Sequence, residues 1–440
     1  MIQSGLSRKL SQKDIGVPVL RSNNLINNEL NLDDISYWYI KDSKGAKIEN
    51  YFLKENDLLI NFINSLSQIG KIALFKNELK RNTIFTTNLL RLNFNSKIYI
   101  DFMYFYFQTG KYNNYIQVIT KPAVNQASFT TVDLKKFNLK VPSLHEQKKI
   151  ANFLNSINHK IKLLNKKLGY FKDFKKYCFQ NLFSEKLRFN YLNSGGFKNK
   201  NDFKSVKLES LIKKGKAGGT PKSSIGRYYK GNIPFLSISD MTMQGKYITF
   251  TSKKITKEAI NDSSAWIIPK NSLLYSIYAS IGFVSINKID LSTSQAIFGI
   301  ILKDNVNIDY IYYYLTYFKR FVHKFIETGT QGNLNKNILY NFIIKIPNSI
   351  EEQEKIASFL SLIDKKIDLT QNQITEMEKF KKGLLQQMFV YLILYISIFL
   401  ILLFFKIILN KLEYYFIFHL FKVLEITDKG AYDLIDIILM

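Results

Sequence analysis

The sequence has 440 residues, 46% of them hydrophobic, and a formal net charge of +27. That length suggests two or more domains, and the apolar content is ample for buried cores. The single cysteine, Cys178, excludes an internal disulfide and points to a reducing compartment, while the charge directs attention to a polyanion, nucleic acid before an anionic membrane surface. Because Ile, Lys, Asn, Phe and Tyr, the residues of AT-rich codons, are abundant, the charge supports that reading without proving it.

In chain order, Met1 to Lys13 is polar and Ser-rich, with no signal peptide. Residues 1–144 read as one globular unit, in which Val17-Pro18-Val19-Leu20 and Asp57-Leu58-Leu59-Ile60 are short buried strands between polar turns. Tyr99 to Tyr106 is an aromatic core helix or strand, and Leu139-Lys140-Val141-Pro142 is a strand stopped by proline. Residues 145–190 form a long helix with Ile150, Leu154, Ile157, Ile161, Leu164, Leu168 and Phe171 spaced alternately by four and three, the seam of a coiled coil. Residues 191–205 are a polar linker containing Asn193-Ser194-Gly195-Gly196. Residues 206–350 are a second globular unit, and residues 351–389 a second long helix with Ile356, Leu360, Ile363, Ile367, Ile374 and Met377 in the same phase, Thr370 taking one apolar place. Neither helix contains proline; each carries one glycine, Gly169 and Gly383. A helix of roughly 37 residues is a rod of about 55 Å.

The chain contains itself twice. Glu146-Gln147-Lys148-Lys149-Ile150-Ala151-Asn152-Phe153-Leu154 returns as Glu352-Gln353-Glu354-Lys355-Ile356-Ala357-Ser358-Phe359-Leu360, an offset of 206 residues that also joins Phe174-Lys175-Lys176 to Phe380-Lys381-Lys382 and Phe183 to Phe389. This period is far longer than a solenoid unit, so the duplicated object is a domain plus a helix. The globular units echo each other as well. Ile233-Pro234-Phe235-Leu236 matches Val17 to Leu20, and Asn271-Ser272-Leu273-Leu274 matches Asn56 to Leu59. Gln331-Gly332-Asn333-Leu334 matches Gln126-Ala127-Ser128-Phe129, and Ile346-Pro347 matches Val141-Pro142. The second unit opens with Val206-Lys207-Leu208 through Gly218-Gly219-Thr220-Pro221-Lys222, of which the first keeps Ile2-Gln3-Ser4-Gly5, so the first unit is expected to start late. The simplest use of two matching seams in one chain is to pack them on each other.

On these residues the chain resembles the specificity subunit of a type I restriction-modification system, over about residues 1–389. The resemblance rests on Gly218-Gly219-Thr220-Pro221-Lys222, on Ile233 to Leu236 followed by Ser237 to Asp240, on Gln331 to Leu334, and on Pro347 leading into Glu351 to Leu360. It implies an α+β fold of two duplicated target-recognition domains, the first N-terminally shortened, separated by two long antiparallel coiled-coil helices. It implies that each domain reads one half of a bipartite site on double-stranded DNA. The helices would set the spacer and dock two adenine methyltransferase subunits through Gln147, Ile150, Leu154, Ile157, Ile161, Gln353, Ile356, Leu360, Ile363 and Ile367. Restriction and translocase subunits would join, and S-adenosylmethionine, ATP and Mg2+ would belong to those partners, none to this chain. Two readers on a stiff rod sample groove segments one helical turn, roughly 34 Å, or more apart.

Base discrimination needs side chains that pair in the major groove, and lysines on phosphate add affinity without sequence information. The polar loop residues between matched strands are the candidates for DNA contact: Arg8, Arg21, Asn23, Asn24, Gln126 and Ser128 in the first unit, and Thr220, Lys222, Arg227, Tyr228, Ser237, Ser239, Gln331 and Asn333 in the second. Loop Asn, Ser and Gly also serve simply as turn formers.

Catalytic signatures were sought as well. All seven prolines stand alone, so the Asn/Asp-Pro-Pro-aromatic loop of an adenine methyltransferase is missing. Gly215 to Ser224 lacks the Gly-Lys-Ser/Thr end of a phosphate-cradling loop, and His145, His159, His323 and His419 have no metal-ligand spacing. Asp33-Asp34 and Glu351-Glu352 read as solvated or helix-N-terminal charges. The chain is therefore read as non-catalytic and cytoplasmic, against two rivals: a nuclease or methylase fused to readers, and a basic membrane-tethered scaffold without base readout.

The last segment, residues 390–440, departs from the resemblance. Met388 to Phe405 runs 18 residues without a charge, the lower limit for a membrane span. It reads as an anchor, as a buried or partner-facing helical segment, or as read-through into AT-rich sequence. With the late start, the last reading raises a silent or recombined gene copy.

Overall fold

A computed structural model describes residues 1–124, 126–139, 141–184, 186, 203–325 and 334–389. These divide into two compact units, the first built from residues 1–165 with 372–389 and the second from residues within 166–371. The long helices are Leu144–Phe183, of 40 residues, and Ile350–Met388, of 39, and neither is ended by its glycine. Both begin alike: the Ser143 hydroxyl accepts from the Glu146 N–H and the Ser349 hydroxyl from the Glu352 N–H, each at 3.3 Å. Ser-x-x-Glu ahead of an apolar run is a helix-start pattern.

The first unit is organised on an antiparallel sheet of Ile2–Ser4, Leu89–Leu92, Leu58–Asn61 and Ile72–Leu74, in that order. Leu58, Leu59 and Ile60 are fully buried, which is why they form one unbroken apolar run instead of an alternating one. The second unit repeats the plan with Ile212–Ala217, Ile297–Leu302, Leu273–Ser276 and Val284–Asn287, and adds Tyr247–Ile248 in parallel at the edge. The turn into the second of the echoed strands is made by an asparagine in both units: Asn56 at φ 70° and Asn271 at φ 61°, a region that asparagine tolerates better than most side chains.

A smaller sheet sits beside each large one. Val17–Leu20 lies between antiparallel Ser36–Trp38 and parallel Ile84–Phe85. Ile233–Leu236 lies likewise between Lys253–Ile255 and Ser292–Thr293. The aromatic run of the first unit is the helix Ile100–Tyr106, with Phe102 to Tyr106 buried; a second helix, Gly110–Ile119, follows it. The second unit has one longer helix, Ile308–Val322.

Each globular portion grips the long helices through these aromatic helices. In the first unit Phe102, Phe105 and Tyr106 share a core with Ile150, Leu154 and Ile157 and with Leu384 and Leu385. In the second, Tyr310, Tyr313 and Tyr314 share a core with Cys178, Leu182 and Phe183 and with Ile356, Phe359, Leu360 and Ile363. Direct helix contact is seen there too, with Phe174 edge-on to Phe359 at 6.3 Å and Lys175 ion-paired with Asp364. Tyr313 donates its hydroxyl to Asp364 at 2.8 Å and lies under the Lys246 ammonium, which pairs with Asp309 at 2.8 Å.

Two expectations need correction. Leu139, Val141 and Pro142 are not in a strand. Their counterpart Ile343–Pro347 is one because Phe203–Lys207 pairs along it, and among the described residues of the first unit no strand does so. The linker, read as reaching residue 205, must stop earlier, since Phe203–Lys207 is that partner strand. Residues 191–202 and 390–440 lie outside the described residues, and so does the apolar segment after Phe389. Among the described residues no helix is long and apolar enough to cross a membrane.

Candidate nucleic-acid interface

Three segments of the first unit converge where the small sheet meets the large one. The chain leaving Ile2–Ser4, the turn after Val17–Leu20 and the link from Ile84–Phe85 to Leu89–Leu92 bound a polar cleft of about 370 Å³. Its walls are Leu6, Ser7, Arg8, Arg21, Ser22, Asn23, Thr86, Thr87 and Asn88. Main-chain bonds fix the walls: Leu6 N–H to the Phe85 carbonyl at 2.8 Å and Thr86 N–H to the Leu20 carbonyl at 2.9 Å. Gly5 makes the approach possible, because a Cβ there would overlap the carbonyls of Phe85 and Thr86.

Three of the six candidates in this unit, Arg8, Arg21 and Asn23, thus line one cleft. Their commitments differ. The Arg8 guanidinium donates in a fork to Asp42, at 2.8 and 2.7 Å, and Asp42 also accepts from the Trp38 indole and the Ala46 N–H. Arg8 holds the Asp42 carboxyl well below the usual carboxylate range. Arg21 donates to Asp34 at 2.6 Å and Asn23 to the same carboxylate at 3.3 Å. Asp34 is 61% exposed, so this pair is of the solvated kind that contributes little to stability and exchanges readily. The Arg21 Nε is buried with no hydrogen-bond acceptor among the described residues.

The corresponding place in the second unit is built by Gly218 to Thr220, Ser237 to Ser239 and Ser294 to Ala296. Gly218 N–H bonds the Ile297 carbonyl at 2.9 Å, Gly219 N–H the Thr293 carbonyl at 3.0 Å and Ser294 N–H the Leu236 carbonyl at 3.1 Å. Neither glycine has room for a Cβ, which explains the doubled glycine of this stretch. Thr220 hydrogen-bonds Gln295, and Ser237 and Ser239 share a hydroxyl contact at 2.8 Å. Position for position, Arg21 stands where Ser237 does, Asn23 where Ser239 does, and Thr87 where Gln295 does.

Other candidates fall elsewhere. Asn24 is buried, accepting from the Arg21 N–H at 2.8 Å and donating to the carbonyls of Asn31 and Asp34, and Asp240 does the same capping work at the matching place. Tyr228 is buried with its hydroxyl on Asp262 at 2.7 Å. Both side chains thus serve the framework of their own unit. Arg227 is 70% exposed against Glu258 at 2.9 Å, and Lys222 is exposed. Gln126 and Ser128 are exposed on the hairpin Lys121–Pro122 with Ala127–Ser128, apart from the cleft. Gln331 and Asn333 lie outside the described residues.

The helix residues expected to hold partner subunits are mostly spent within the chain. Ile150, Leu154, Ile157, Ile356, Leu360 and Ile363 are at most 5% exposed; Ile161 and Ile367 are half-buried in the same cores. Gln147 accepts from the Tyr99 N–H at 2.8 Å and donates to the carbonyls of Lys97 at 3.1 Å and Pro142 at 2.9 Å. Gln353 accepts from the Asn307 N–H at 2.9 Å and donates to the Pro347 carbonyl at 3.1 Å. Gln147 and Gln353 thus clamp each helix to its own unit, and of the ten residues only Ile161 and Ile367 keep part of their surface open. Sequence reading missed Thr86, Thr87, Asn88 and Gln295, which follow the short strands Ile84–Phe85 and Ser292–Thr293 and carried no motif of their own. Among the described residues no group of three or more His, Cys, Asp or Glu is placed to hold a metal.

The cleft presents hydroxyls and amides, the groups that can accept from or donate to base edges; Asn and Gln suit adenine and Arg suits guanine. The family model described as the type I restriction modification DNA specificity domain matches residues 5–169 and again 200–379. A Methanocaldococcus jannaschii protein provisionally named the type I restriction enzyme MjaX specificity subunit is 27% identical over 400 residues, 88% of this chain and 89% of that protein. The type I restriction enzyme EcoR124I/EcoR124II specificity subunit of Escherichia coli is 30% identical over 167 residues, 36% of this chain and 39% of that protein. Among solved structures, the S subunit of a type I restriction-modification system from M. genitalium aligns with a TM-score of 0.54 at 14% identity, covering 89% of this chain and 94% of that one, a likeness of fold.

Proposed function

The chain belongs to the type I restriction modification DNA specificity family, with two copies of its domain, and on that premise we propose that the cleft of the first unit and the matching junction of the second each read one half of a bipartite DNA site. It is a DNA sequence-specificity subunit. The observation that supports the finer reading is the coincidence of place. The same three-walled junction recurs in both units, framed by the same main-chain bonds, and the polar residues at its rim differ: Arg21, Asn23 and Thr87 in one, Ser237, Ser239 and Gln295 in the other. A constant frame with a variable rim is what two readers of different half-sites require. Approach of a phosphate would compete with Asp34 for Arg21, exchanging a solvated pair for a desolvated one.

The paired long helices act as an antiparallel spacer, and adenine methyltransferase subunits dock on their solvent-facing sides, with restriction and translocase subunits joining the complex in the cytoplasm. The chemistry, with S-adenosylmethionine, ATP and Mg2+, resides in those partners. Single-molecule sequencing of adenine methylation in the host, with and without this gene, tests the proposal. Loss of one bipartite motif on deletion is the expected result. Restoring the gene with Asn23→Ala should relax or weaken one half of the motif, and with Ser239→Ala the other. Equal loss at both halves, or no lost motif, would overturn it.

A further inference from the structure

The turn at residues 249–252, between Tyr247–Ile248 and Lys253–Ile255, borders the second unit's junction. One side chain fixes its start. The Gln244 amide oxygen accepts from the Thr249 N–H at 2.9 Å and the Phe250 N–H at 3.3 Å, and its nitrogen donates to the Phe250 carbonyl at 2.9 Å. The end of the turn is tied to the junction itself. Thr251 accepts from the Phe235 N–H at 3.2 Å, and Ser252 donates its hydroxyl to Asp240 at 3.1 Å. Ser237 donates to the same carboxylate oxygen at 2.9 Å, and Asp240 is 3% exposed. Ser237 and Ser252 therefore converge on one buried carboxylate.

On this pinned turn Phe250 is 52% exposed. A lone exposed aromatic is ordinary, but this one has company. Met243, 65% exposed, precedes the Gln244 that holds it and lies four residues after Ser239, on the same helix face. Lys253 and Lys254, both exposed, follow it. An apolar patch beside ammonium groups, at the edge of a hydroxyl-lined junction, suits a polyanion whose reading edge carries methyl groups. Strand register gives the counterpart in the first unit. Lys253 opposes Phe235 as Ser36 opposes Val19, so Phe250 stands where Asp33 does. The two rims differ here in kind, a ring in one and an exposed carboxylate in the other.

We propose that Phe250 is a specificity-determining residue of the second unit, its ring covering the C5 methyl of a thymine in that unit's half-site. The inference rests on the reading of this junction as a DNA reader. Thymine is the one base whose major-groove edge carries a methyl, and an apolar side chain recognises it by contact. Asp33 offers no such surface, so the preference belongs to the second half-site alone.

Methylation sequencing defines the motif, and the half relaxed by Ser239→Ala is the half in question. The complex isolated through the full-length chain is then titrated with duplexes of that motif in which each thymine of this half is replaced in turn by uracil, which lacks only the methyl. One replacement should weaken binding by the unaltered chain about fourfold, the share of one methyl withdrawn from water. Phe250→Ala should bind that pair of duplexes equally, and Phe250→Leu should keep part of the difference. A ring that merely supported the turn would weaken both duplexes together on truncation and keep their ratio. A ratio that survives Phe250→Ala, or a half-site without a methyl-sensitive thymine, would overturn the proposal and leave the two-reader function standing. Absence of any bipartite motif would overturn both.

Discussion

Replacing Gln147 by leucine should weaken the first unit by about 3 kcal/mol. The side chain is 1% exposed and makes three hydrogen bonds, to the Tyr99 N–H and to the carbonyls of Lys97 and Pro142. Leucine fills nearly the same volume, so the cavity cost is small, but a donor and two acceptors lose their partner. Stranding a buried polar group costs about 1–3 kcal/mol, with an N–H at the upper end because it has no second lone pair to engage elsewhere. The two tryptophans make the effect readable unit by unit. Trp38, 8% exposed, packs with Leu6, Val17 and Ile84 in the first unit, and Trp266, 8% exposed, packs with Leu236, Ile268 and Leu274 in the second. Among the described residues the Trp266 indole N–H has no hydrogen-bond partner, so Trp266→Phe gives up no bond seen there and leaves Trp38 as the sole reporter. In that background Gln147→Leu should move the urea midpoint of Trp38 fluorescence down by about 1–2 M. In the reverse background, Trp38→Phe, Gln353→Leu should lower the Trp266 transition instead. A shift below about 0.5 kcal/mol at Trp38, within the range of an ordinary surface substitution, would refute the clamp as a stabilising device.

Asn56→Ala and Asn271→Ala should each cost about 1 kcal/mol, since alanine pays the left-handed backbone strain that the native φ of 70° and 61° imposes, while Asn→Gly at either site should be close to neutral by thermal unfolding. The Asp42 carboxyl is held below its ordinary value of 3.8 by the Arg8 guanidinium, so its stabilising contribution is complete above that pH and is lost as pH falls toward the depressed folded value. Asp42→Asn should therefore flatten the acid limb of the first unit's stability below about pH 4, measured by Trp38 fluorescence; an unchanged limb would mean the pair carries no linkage. Gly218→Ala should destabilise the second unit by at least about 1 kcal/mol, because its Cβ would press on the Thr293 and Ser294 carbonyls and backbone cannot yield as a flexible side chain can.

Much of the architecture was written in repetition. The echo of Glu146 to Leu154 in Glu352 to Leu360 located both long helices to within a residue of their starts, because an apolar seam at helical spacing leaves few alternatives over 40 residues. The echoed Asn56 and Asn271 marked the same turn twice, since local backbone demands select local residue types. Candidate contact residues were less legible. Arg8, Arg21 and Asn23 line the junction of the first unit and Thr220, Ser237 and Ser239 lie at the matching place in the second, whereas Asn24 and Tyr228 are buried. A polar loop residue looks the same in sequence whether its amide caps a neighbouring turn or faces solvent.

The sequence by itself determined the duplication, the two long helices and the echoed strands at Val17–Leu20 and Leu58–Ile60 with their counterparts, because these follow from periodicity and propensity within tens of residues. Only the tertiary structure decided which side chains remain available. Leu139 to Pro142 has the composition of a strand, yet Leu139, Val141 and Pro142 are in none, because pairing needs a neighbour that, among the described residues, Phe203–Lys207 supplies in the other unit alone. Gln147 and the seam isoleucines have the look of a partner-facing surface yet are enclosed by their own aromatic helices. Thr87 and Gln295 join the candidate sites only because strands distant in sequence end at the same place. Burial and strand partnership are properties of groups brought together from afar, and no local pattern of residues encodes them.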